Sequence, residues 1–327
     1  MLFATNRTPK GSSRTKVNRK IAFDRQVTRP GSDMYFCERQ GKNDYREVGS
    51  KTFFQRLKEL DSDTQILLYI HGFNNNMEPE IFERAEDLQR LINQGKNKKL
   101  ALVVPLIWPC DDDPIISVLD DYWDDQKAAD FSANAFSRML SKFDTWRKAE
   151  AARPDPCMRR INVMAHSMGN RVLRNAIHYW GRNDHAGMVP LLFRNVFMVA
   201  ADVVNHCLEP GRSGALLPRV TRNLVVYFAN DDLAMPASKV ANLKNRQLSK
   251  RLGMTGVEEL SKVPRNVYEV DCDNFNNTFD KPKGHSYFTE VKEVISPALQ
   301  HMMEAMDGGR VQPALRTHVL DNPFKKQ

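Results

Sequence analysis

The sequence predicts an α/β protein with a mostly parallel central sheet and helices on both faces of that sheet. Short apolar runs alternate along the 327 residues with longer segments whose apolar residues recur at helical spacing. The apolar runs lack the polar alternation of a half-exposed strand, which indicates strands buried on both faces. Helices between such strands provide this cover, so the expected architecture is a three-layer α/β/α sandwich.

Six apolar runs are the expected strands of the parallel sheet: Gln65–Phe73, Ala101–Trp108, Ile161–Ala165, Asn195–Ala201, Asn223–Ala229 and Asn266–Val270. Four segments have apolar residues at helical spacing: Ile81–Ile92, Phe131–Trp146, Met168–Trp180 and Phe288–Met303. Near the start of the chain, Leu2–Thr5 and Met34–Cys37 are predicted to be antiparallel strands at the edge of the sheet.

This pattern predicts one domain over residues 1–307, with residues 8–30 as a loop insertion near its beginning. A Gly308-Gly309 pair follows the last helical segment, and prolines follow that pair. Glycine and proline interrupt regular structure, so residues 308–327 are expected to be an irregular tail.

Composition excludes several classes of protein. Hydrophobic residues make up 41% and charged residues 27% of the chain, as in ordinary globular proteins. No apolar run approaches the about 20 residues that a membrane-spanning helix needs. No secretory signal is visible, and the five scattered cysteines form no C-x-x-C pair, which argues against a disulfide framework or a thiolate zinc site. We therefore expect a reduced, cytoplasmic protein.

The net charge of +8 is concentrated in one segment. Residues 1–30 contain eight basic residues and one acidic residue, which gives them a formal charge of +7. Such a segment is able to contact nucleic acid or an anionic surface. No aromatic platform or recognised binding motif accompanies the charge, so a solvated loop is the simpler interpretation.

The strongest functional signal is the stretch Ile161–Asn170, in which an apolar run leads into His166-Ser167-Met168-Gly169 and then into a helical pattern. It matches the G-x-S-x-G nucleophile elbow, with Ala165 in place of the first glycine. Small residues two positions before and after the serine let strand and helix approach each other closely. Ser167 is therefore the expected nucleophile, and the Met168 N–H is an expected oxyanion donor. The simpler alternative is a serine that caps a helix.

A second signal is the strand end at His71-Gly72-Phe73. Alpha/beta proteins with a nucleophile elbow place the other half of the oxyanion hole on such an upstream loop. The Phe73 N–H is the expected second donor. His71 is expected to be structural and to hold the loop by hydrogen bonds.

A serine hydroxyl needs a base within hydrogen-bond reach, and the base needs a carboxylate that fixes its tautomer. His285 follows the last predicted strand and is the expected base. His166 is expected to point away from the site, and the other histidines lie on helices, loops or the tail.

Three aspartates compete for the role of the acid. Asp232 is preferred because it lies further beyond the end of its strand than Asp231 does. Asp202 ends the preceding strand and remains an alternative, as does Asp231. Adjacent residues point in opposite directions on an extended strand, so only one of Asp231 and Asp232 can face His285.

These features resemble those of α/β-hydrolases, and more closely those of an uncharacterised, mainly bacterial branch of that superfamily. The resemblance covers roughly residues 1–300 and rests on LFATNR (Leu2–Arg7), HGFNN (His71–Asn75), WP with a following Tyr and DxxAxxS stretch (Trp108-Pro109, Tyr122, Asp125 and Ser132), AHSMGN (Ala165–Asn170), NDDLAM (Asn230–Met235), RLG (Arg251–Gly253) and GHSYF (Gly284–Phe288). It implies an α/β-hydrolase fold and hydrolase chemistry without a settled substrate. It also puts Ser167, Asp232 and His285 in the places of the catalytic triad. The basic stretch 8–30 and the acidic stretch 111–113 depart from the family pattern.

We therefore expect a serine hydrolase that cleaves an acyl ester of a small molecule or lipid through an acyl-enzyme. No organic cofactor is expected, because neither a phosphate-binding loop nor a G-x-G-x-x-G motif is present. No metal is expected either, because the aspartates clustered between Asp111 and Asp130 show no metal-ligand spacing. Residues Val204–Asn223 and Pro236–Arg251 are expected to roof the cleft. The alternative function is a non-catalytic α/β-hydrolase scaffold that binds an acidic partner or nucleic acid through its basic segment.

Overall fold

The computed structural model describes residues 1–24, 27, 29–95, 97–110, 118–234, 250–308, 311 and 315–325, with the side chains of residues 118–125 left out of the description. The acidic stretch Asp111–Asp113 and most of the expected roof segment Pro236–Arg251 lie outside the described residues.

Most of the described strands belong to one large sheet. The strands are β1 (Leu2–Thr5), β2 (Lys20–Ile21), β3 (Tyr35–Gly41), β4 (Asp44–Glu47), β5 (Gln65–Ile70), β6 (Ala101–Ile107), β7 (Ile161–His166), β8 (Phe193–Val199), β9 (Thr221–Phe228), β10 (Val267–Asp271), β11 (Glu290–Val291), β12 (Val294–Ile295) and β13 (Thr317–Val319). Their order in the sheet is β13-β10-β9-β8-β7-β5-β6-β1-β3-β4-β2, while β11 and β12 form a separate hairpin. All pairs from β13 to β1 are parallel, and only the pairs among β1, β3, β4 and β2 are antiparallel.

In the described part of the chain, five longer helices accompany the sheet: α1 (Gly49–Lys58), α2 (Phe82–Ile92), α3 (Val118–Ala151), α4 (Gly169–Asp184) and α5 (Pro297–Gly308). Single-turn helices lie at Leu217–Val220, Leu252–Thr255, Leu260–Lys262 and Asn276–Phe279, and a π-helical turn at Met77–Ile81 precedes α2. Among the described residues, no helix is both long enough and apolar enough to cross a membrane.

The parallel strands separate two cores, as their apolar sequences predict. Alternate residues of β7 show the division: Val163 packs in the core beneath α1, α3 and α4, and Met164 in the core beneath α2 and α5. Because successive side chains of a strand point to opposite faces, an all-apolar strand fills both cores at once. The structure is thus the predicted three-layer α/β/α sandwich with a mostly parallel sheet.

The beginning of the chain differs from the prediction in one respect. Strands β1 and β3 are antiparallel, as expected, but β1 lies inside the sheet because it also pairs with β6. The edge is formed by Lys20–Ile21 of the basic segment. All four residues of β1 are buried, which is consistent with a strand that has neighbours on both sides.

The end of the chain differs as well. The last helix begins at Pro297 instead of Phe288, and the β11–β12 hairpin precedes it. Lys292 and Glu293 turn this hairpin with φ of 48° and 64°. The tail is not wholly irregular either, since Thr317–Val319 forms β13 and pairs in parallel with β10.

A row of amide side chains crosses the amino-terminal end of the sheet. Asn223 Nδ2 donates to Asn195 Oδ1 at 2.8 Å, and Asn195 Nδ2 donates to Asn162 Oδ1 at 2.8 Å. Asn162 Nδ2 in turn donates to Gln65 Oε1 at 3.1 Å, and Gln65 donates to the carbonyl of Met306. We call these four side chains the amide row. All four are buried, and each bonds to its neighbour across the strands.

Candidate active site

The opposite, carboxyl-terminal end of the sheet holds the residues that the sequence singles out. Ser167 follows β7, Asp202 lies shortly after β8, Asp232 lies shortly after β9, and His71 follows β5. In open parallel sheets, ligands bind at this end of the strands.

Ser167 lies in the sharp turn between β7 and α4, with a φ of 51°. Its N–H donates to the Val199 carbonyl at 3.0 Å, and its carbonyl accepts the N–H of Asn170 at 3.1 Å and of Asp202 at 3.2 Å. A left-handed conformation is unfavourable for a residue with a side chain and persists where its surroundings enforce it. The backbone of this turn is therefore strained, as the sequence motif predicts.

Two glycines allow this turn to pack against the end of β5. A Cβ on Gly169 would lie 2.5 Å from the His71 carbonyl oxygen and 2.7 Å from that of Ile70, so no other residue fits without a backbone shift. A Cβ on Gly72 would lie 3.0 Å from the Ser167 Cβ. The loop after β5 and the serine are consequently in close contact.

The side chain of Asn170 stabilises the turn at Ser167 by hydrogen bonds. Its Nδ2 lies 2.8 Å from the Ala165 carbonyl, 3.1 Å from that of Ser167 and 3.3 Å from that of Val199. The side chain is fully buried, so these bonds tie the turn to the ends of β7 and β8. The sequence contains this residue in the AHSMGN motif, but spacing alone does not predict its contacts.

His71 has the structural surroundings that the sequence predicts. Its Nδ1–H donates to the Gly72 carbonyl at 2.8 Å, and its Nε2 accepts the Trp108 N–H at 3.1 Å. The two rings stack with centroids 5.2 Å apart. Burial lowers the pKa of His71 to about 3, so the ring is neutral and its tautomer is set by these two bonds.

Phe73 follows Gly72, the glycine that approaches Ser167, and Met168 follows Ser167 itself. The loop containing Phe73 is fastened by Asn75, whose Nδ2 lies 2.6 Å from the Phe73 carbonyl and 3.3 Å from that of Gly72. Met168 is buried immediately before α4, where the first N–H groups of a helix have no partner within that helix.

His285 meets Asp232. The distance between His285 Nδ1 and Asp232 Oδ2 is 2.6 Å, within the range for a base and its orienting carboxylate. The other oxygen, Asp232 Oδ1, accepts the Ala234 N–H at 2.9 Å. The Asp232 side chain has no exposed surface, whereas 13% of the His285 side chain is exposed.

The other two aspartates have different partners. Asp231 accepts hydrogen bonds from the amides of Asn276 and Asn277. Asp202 forms an ion pair with Arg251, with 3.3 Å between Oδ1 and Nε, and both side chains are buried. The structure therefore brings His285 together with Asp232, the preferred acid of the sequence prediction.

The main chain of His285 is fixed by Asp280. The Oδ2 atom of Asp280 accepts the N–H of His285 at 2.8 Å and of Ser286 at 2.7 Å. Gly284 precedes them with a φ of +63°, the left-handed conformation that favours glycine. No sequence pattern pointed to Asp280, because its contacts depend on how this loop folds.

His166 lies in the site, and the expectation that it points away is wrong. Its ring centroid lies 4.7 Å from that of His285, and its Nε2 lies 3.3 Å from the His285 carbonyl oxygen.

Ser167 is 8% exposed, and its Oγ makes no hydrogen bond to His285 within the described part of the chain. In enzymes without bound substrate, the hydrogen bond between a nucleophile and its base is often long or poorly aligned.

The described residues contain no group of three or more histidine, cysteine, aspartate or glutamate side chains that could hold a metal ion. The groups in this region that can exchange a proton or attack a carbonyl are the Ser167 hydroxyl, the His285 imidazole and the buried Asp232 carboxylate.

Comparisons with known proteins identify the superfamily. The model of the family described as "Alpha/beta hydrolase of unknown function (DUF900)" matches residues 47–303, a range that includes Ser167, Asp232 and His285. No curated protein matches the sequence. Among solved structures, the chain is similar to phospholipase PlaB from Legionella pneumophila in complex with thio-NAD, with 13% identity and a TM-score of 0.26 over 71% of this chain. The chain spans 43% of that protein's length.

Proposed function

The chain belongs to this α/β-hydrolase family of unknown function, and we propose that it is a serine hydrolase with Ser167, His285 and Asp232 as its catalytic triad. The observation that carries the proposal is the 2.6 Å contact between His285 Nδ1 and Asp232 Oδ2. The His285 ring also lies 4.7 Å from that of His166, which directly precedes Ser167 with its φ of 51°. A histidine oriented by a buried carboxylate next to a strained serine is the arrangement that nucleophilic catalysis requires.

The contact also assigns the two nitrogens of His285. Nδ1 carries the proton that Asp232 accepts, so Nε2 has the lone pair that can take the proton from Ser167 Oγ. The Ser167 oxygen then forms a bond to the carbonyl carbon of the ester, and the carbonyl π electrons move to its oxygen. The N–H groups of Phe73 and Met168 are proposed to bind this oxyanion.

Collapse of the tetrahedral intermediate breaks the bond to the leaving alkoxide, which takes the proton from His285 Nε2. The acyl group stays on Ser167. Water then attacks this acyl-enzyme with His285 again as the base, which releases the carboxylic acid and restores the serine. No step needs a metal or an organic cofactor, so we propose that neither is used.

The proposed substrate is a carboxylic ester of a small molecule or a lipid. A fluorophosphonate probe tests the chemistry, because it reacts covalently with an activated serine. We expect labelling of the wild-type protein at Ser167 and none of Ser167→Ala. An unlabelled, folded wild-type protein would contradict the proposal. A series of p-nitrophenyl esters of increasing acyl length would then define the chain length that the cleft accepts.

The alternative of a non-catalytic scaffold has less support. Two of the cations in the basic segment have partners within the domain, since Arg19 pairs with Glu47 and Lys20 pairs with Asp44. Lys10, Arg14 and Lys16 remain exposed. Nucleic-acid binding that weakens steeply with salt and disappears on deletion of residues 8–30, without esterase activity, would favour the scaffold. We also propose a cytoplasmic location, as the scattered, unpaired cysteines of the sequence suggest.

A further inference from the structure

We propose that His166 is a positioning residue for His285, holding the main chain of the base and forming one wall of the space its ring occupies. This inference rests on the proposed function, because positioning matters only if His285 is the base. Among the described residues, His166 makes no hydrogen bond to the Ser167 hydroxyl or to Asp232, so its role would be exerted through His285.

The first support is a hydrogen bond. His166 Nε2 lies 3.3 Å from the carbonyl oxygen of His285. A carbonyl oxygen can only accept, so Nε2 of His166 must carry a proton. Asp280 accepts the N–H of the same residue, and Asp232 accepts its Nδ1–H. Three contacts thus hold His285, and His166 provides the one on its carbonyl side.

The second support is packing. The His166 ring lies 4.7 Å from the His285 ring at an angle of 52°. The Phe288 ring also packs edge-on with the His166 ring, with centroids 5.0 Å apart, and the Arg84 guanidinium lies 5.4 Å from the Phe288 ring. His166 Nδ1 would lie 3.1 Å from a Cβ on Gly72, so the loop after β5 closes a further side.

The surroundings of His166 favour its neutral form. Burial lowers its pKa well below the ordinary value, and the nearby His285, Arg84 and His71 lower it further because a second positive charge would be repelled. A neutral His166 can keep a single proton on Nε2 for the His285 carbonyl. It also adds no repulsion when His285 takes the serine proton.

Two substitutions separate the hydrogen bond from the packing. His166→Gln retains an N–H at nearly the reach of Nε2, whereas His166→Phe retains a flat ring without a donor. We would measure the fluorophosphonate reaction at Ser167 as a maximal rate and a probe affinity. We expect the maximal rate of His166→Phe to fall about 10- to 100-fold with the affinity unchanged, because small displacements of a catalytic group are costly. His166→Gln should recover most of the rate, and His178→Phe on the outer part of α4 is the matched control.

The outcomes are distinguishable. An unreactive wild-type protein overturns the proposed function. A reactive wild type with a His166→Phe rate equal to it, or with Gln as slow as Phe, overturns the positioning role. If the Phe variant fails to fold, the wild-type protein provides a second test. The ¹⁵N shifts of its imidazoles should show His166 neutral, with the proton on Nε2, from about pH 8 down to about pH 6.5, the ordinary pKa of a histidine. A proton on Nδ1, or a charged ring in this range, overturns the inference.

Discussion

The two ends of the central sheet both bury polar side chains, but they do so in different ways. At the amino-terminal end, the amide row consists of neutral groups that lie within the strands and bond to one another. At the carboxyl-terminal end, Ser167, Asp232 and His285 lie just beyond the strands. There the backbone of Ser167 and Ala200 takes φ of 51° and 44°.

The buried polar side chains at the amino-terminal end stabilise the sheet, whereas we expect those at the carboxyl-terminal end to take part in chemistry. Amides have no charge to lose at ordinary pH, and paired side chains across neighbouring strands specify the register of those strands. An imidazole and a carboxylate can move a proton, and a strained turn presents a hydroxyl. We therefore expect substitutions at the carboxyl-terminal end to reduce activity and substitutions in the amide row to reduce stability.

The largest expected effect is on the rate. Ser167→Ala should lower kcat for an activated ester by about 10⁴- to 10⁶-fold, because the attacking oxygen is gone. The melting temperature should stay close to that of the wild type, since Oγ makes no hydrogen bond to His285. Ester hydrolysis and thermal melting of the same preparation check both statements. Activity retained by a well-folded variant would place the nucleophile elsewhere.

The next prediction compares the two neighbouring aspartates. Asp232→Asn should lower kcat by about 10⁴-fold, because an amide allows the wrong tautomer of His285. Asp231→Asn is the matched control and should cost less than about 10-fold, since Asp231 contacts Asn276 and Asn277 instead. Steady-state kinetics of both variants provide the measurement. Equal losses would mean that the acid was wrongly identified or that both residues serve only the loop.

The contrast between the two ends predicts the opposite result for the amide row. Asn195→Leu removes the residue that donates to Asn162 and accepts from Asn223, leaving two buried partners unsatisfied. We expect the free energy of unfolding to fall by about 2 to 4 kcal/mol, with kcat changed only a few-fold at a temperature where the variant is folded. Urea unfolding and ester hydrolysis measure the two quantities. A large loss of kcat in the folded variant would break the division of roles proposed for the two ends.

The sequence predicted the parallel part of the fold well because each buried strand must fill two cores, and this requirement leaves a strong apolar signal. The predicted start of the last helix, at Phe288, was wrong. Four apolar residues before α5 are spaced as they would be on a helix: Phe288, Val291, Val294 and Ile295. In the structure, Val291, Val294 and Ile295 lie in the hairpin before Pro297, and Phe288 packs against His166 ahead of that hairpin. Short strands such as β2 and β13 have too few residues for a periodicity to appear.

For the candidate site, local sequence and long-range packing contributed differently. The elbow at Ser167 is a local motif, so strand, turn and helix could be predicted together. The pairing of His285 with Asp232 was predicted from chain order and family resemblance, and its catalytic role remains a prediction. The contacts of Asp280 and His166 depend on the path of the loop between Asp271 and Phe288, and nothing in the local sequence indicates that path.

The smallest predicted effect concerns His71, which lies at the carboxyl-terminal end but resembles the amide row in its use. Its pKa of about 3 in the folded protein lies below the value of about 6.5 for an unfolded chain. Between these values the unfolded chain binds the extra proton, so the contribution of His71 to stability is fully present above about pH 6.5 and is lost as the pH falls towards 3. His71→Gln has no such proton to bind. As the pH falls from about 6.5 to about 5, the free energy of unfolding of the wild type should therefore fall by about 2 kcal/mol more than that of His71→Gln. Urea unfolding of both proteins across this range measures the difference, and parallel stability curves would show that His71 is not held neutral by its burial and its bonds to Gly72 and Trp108.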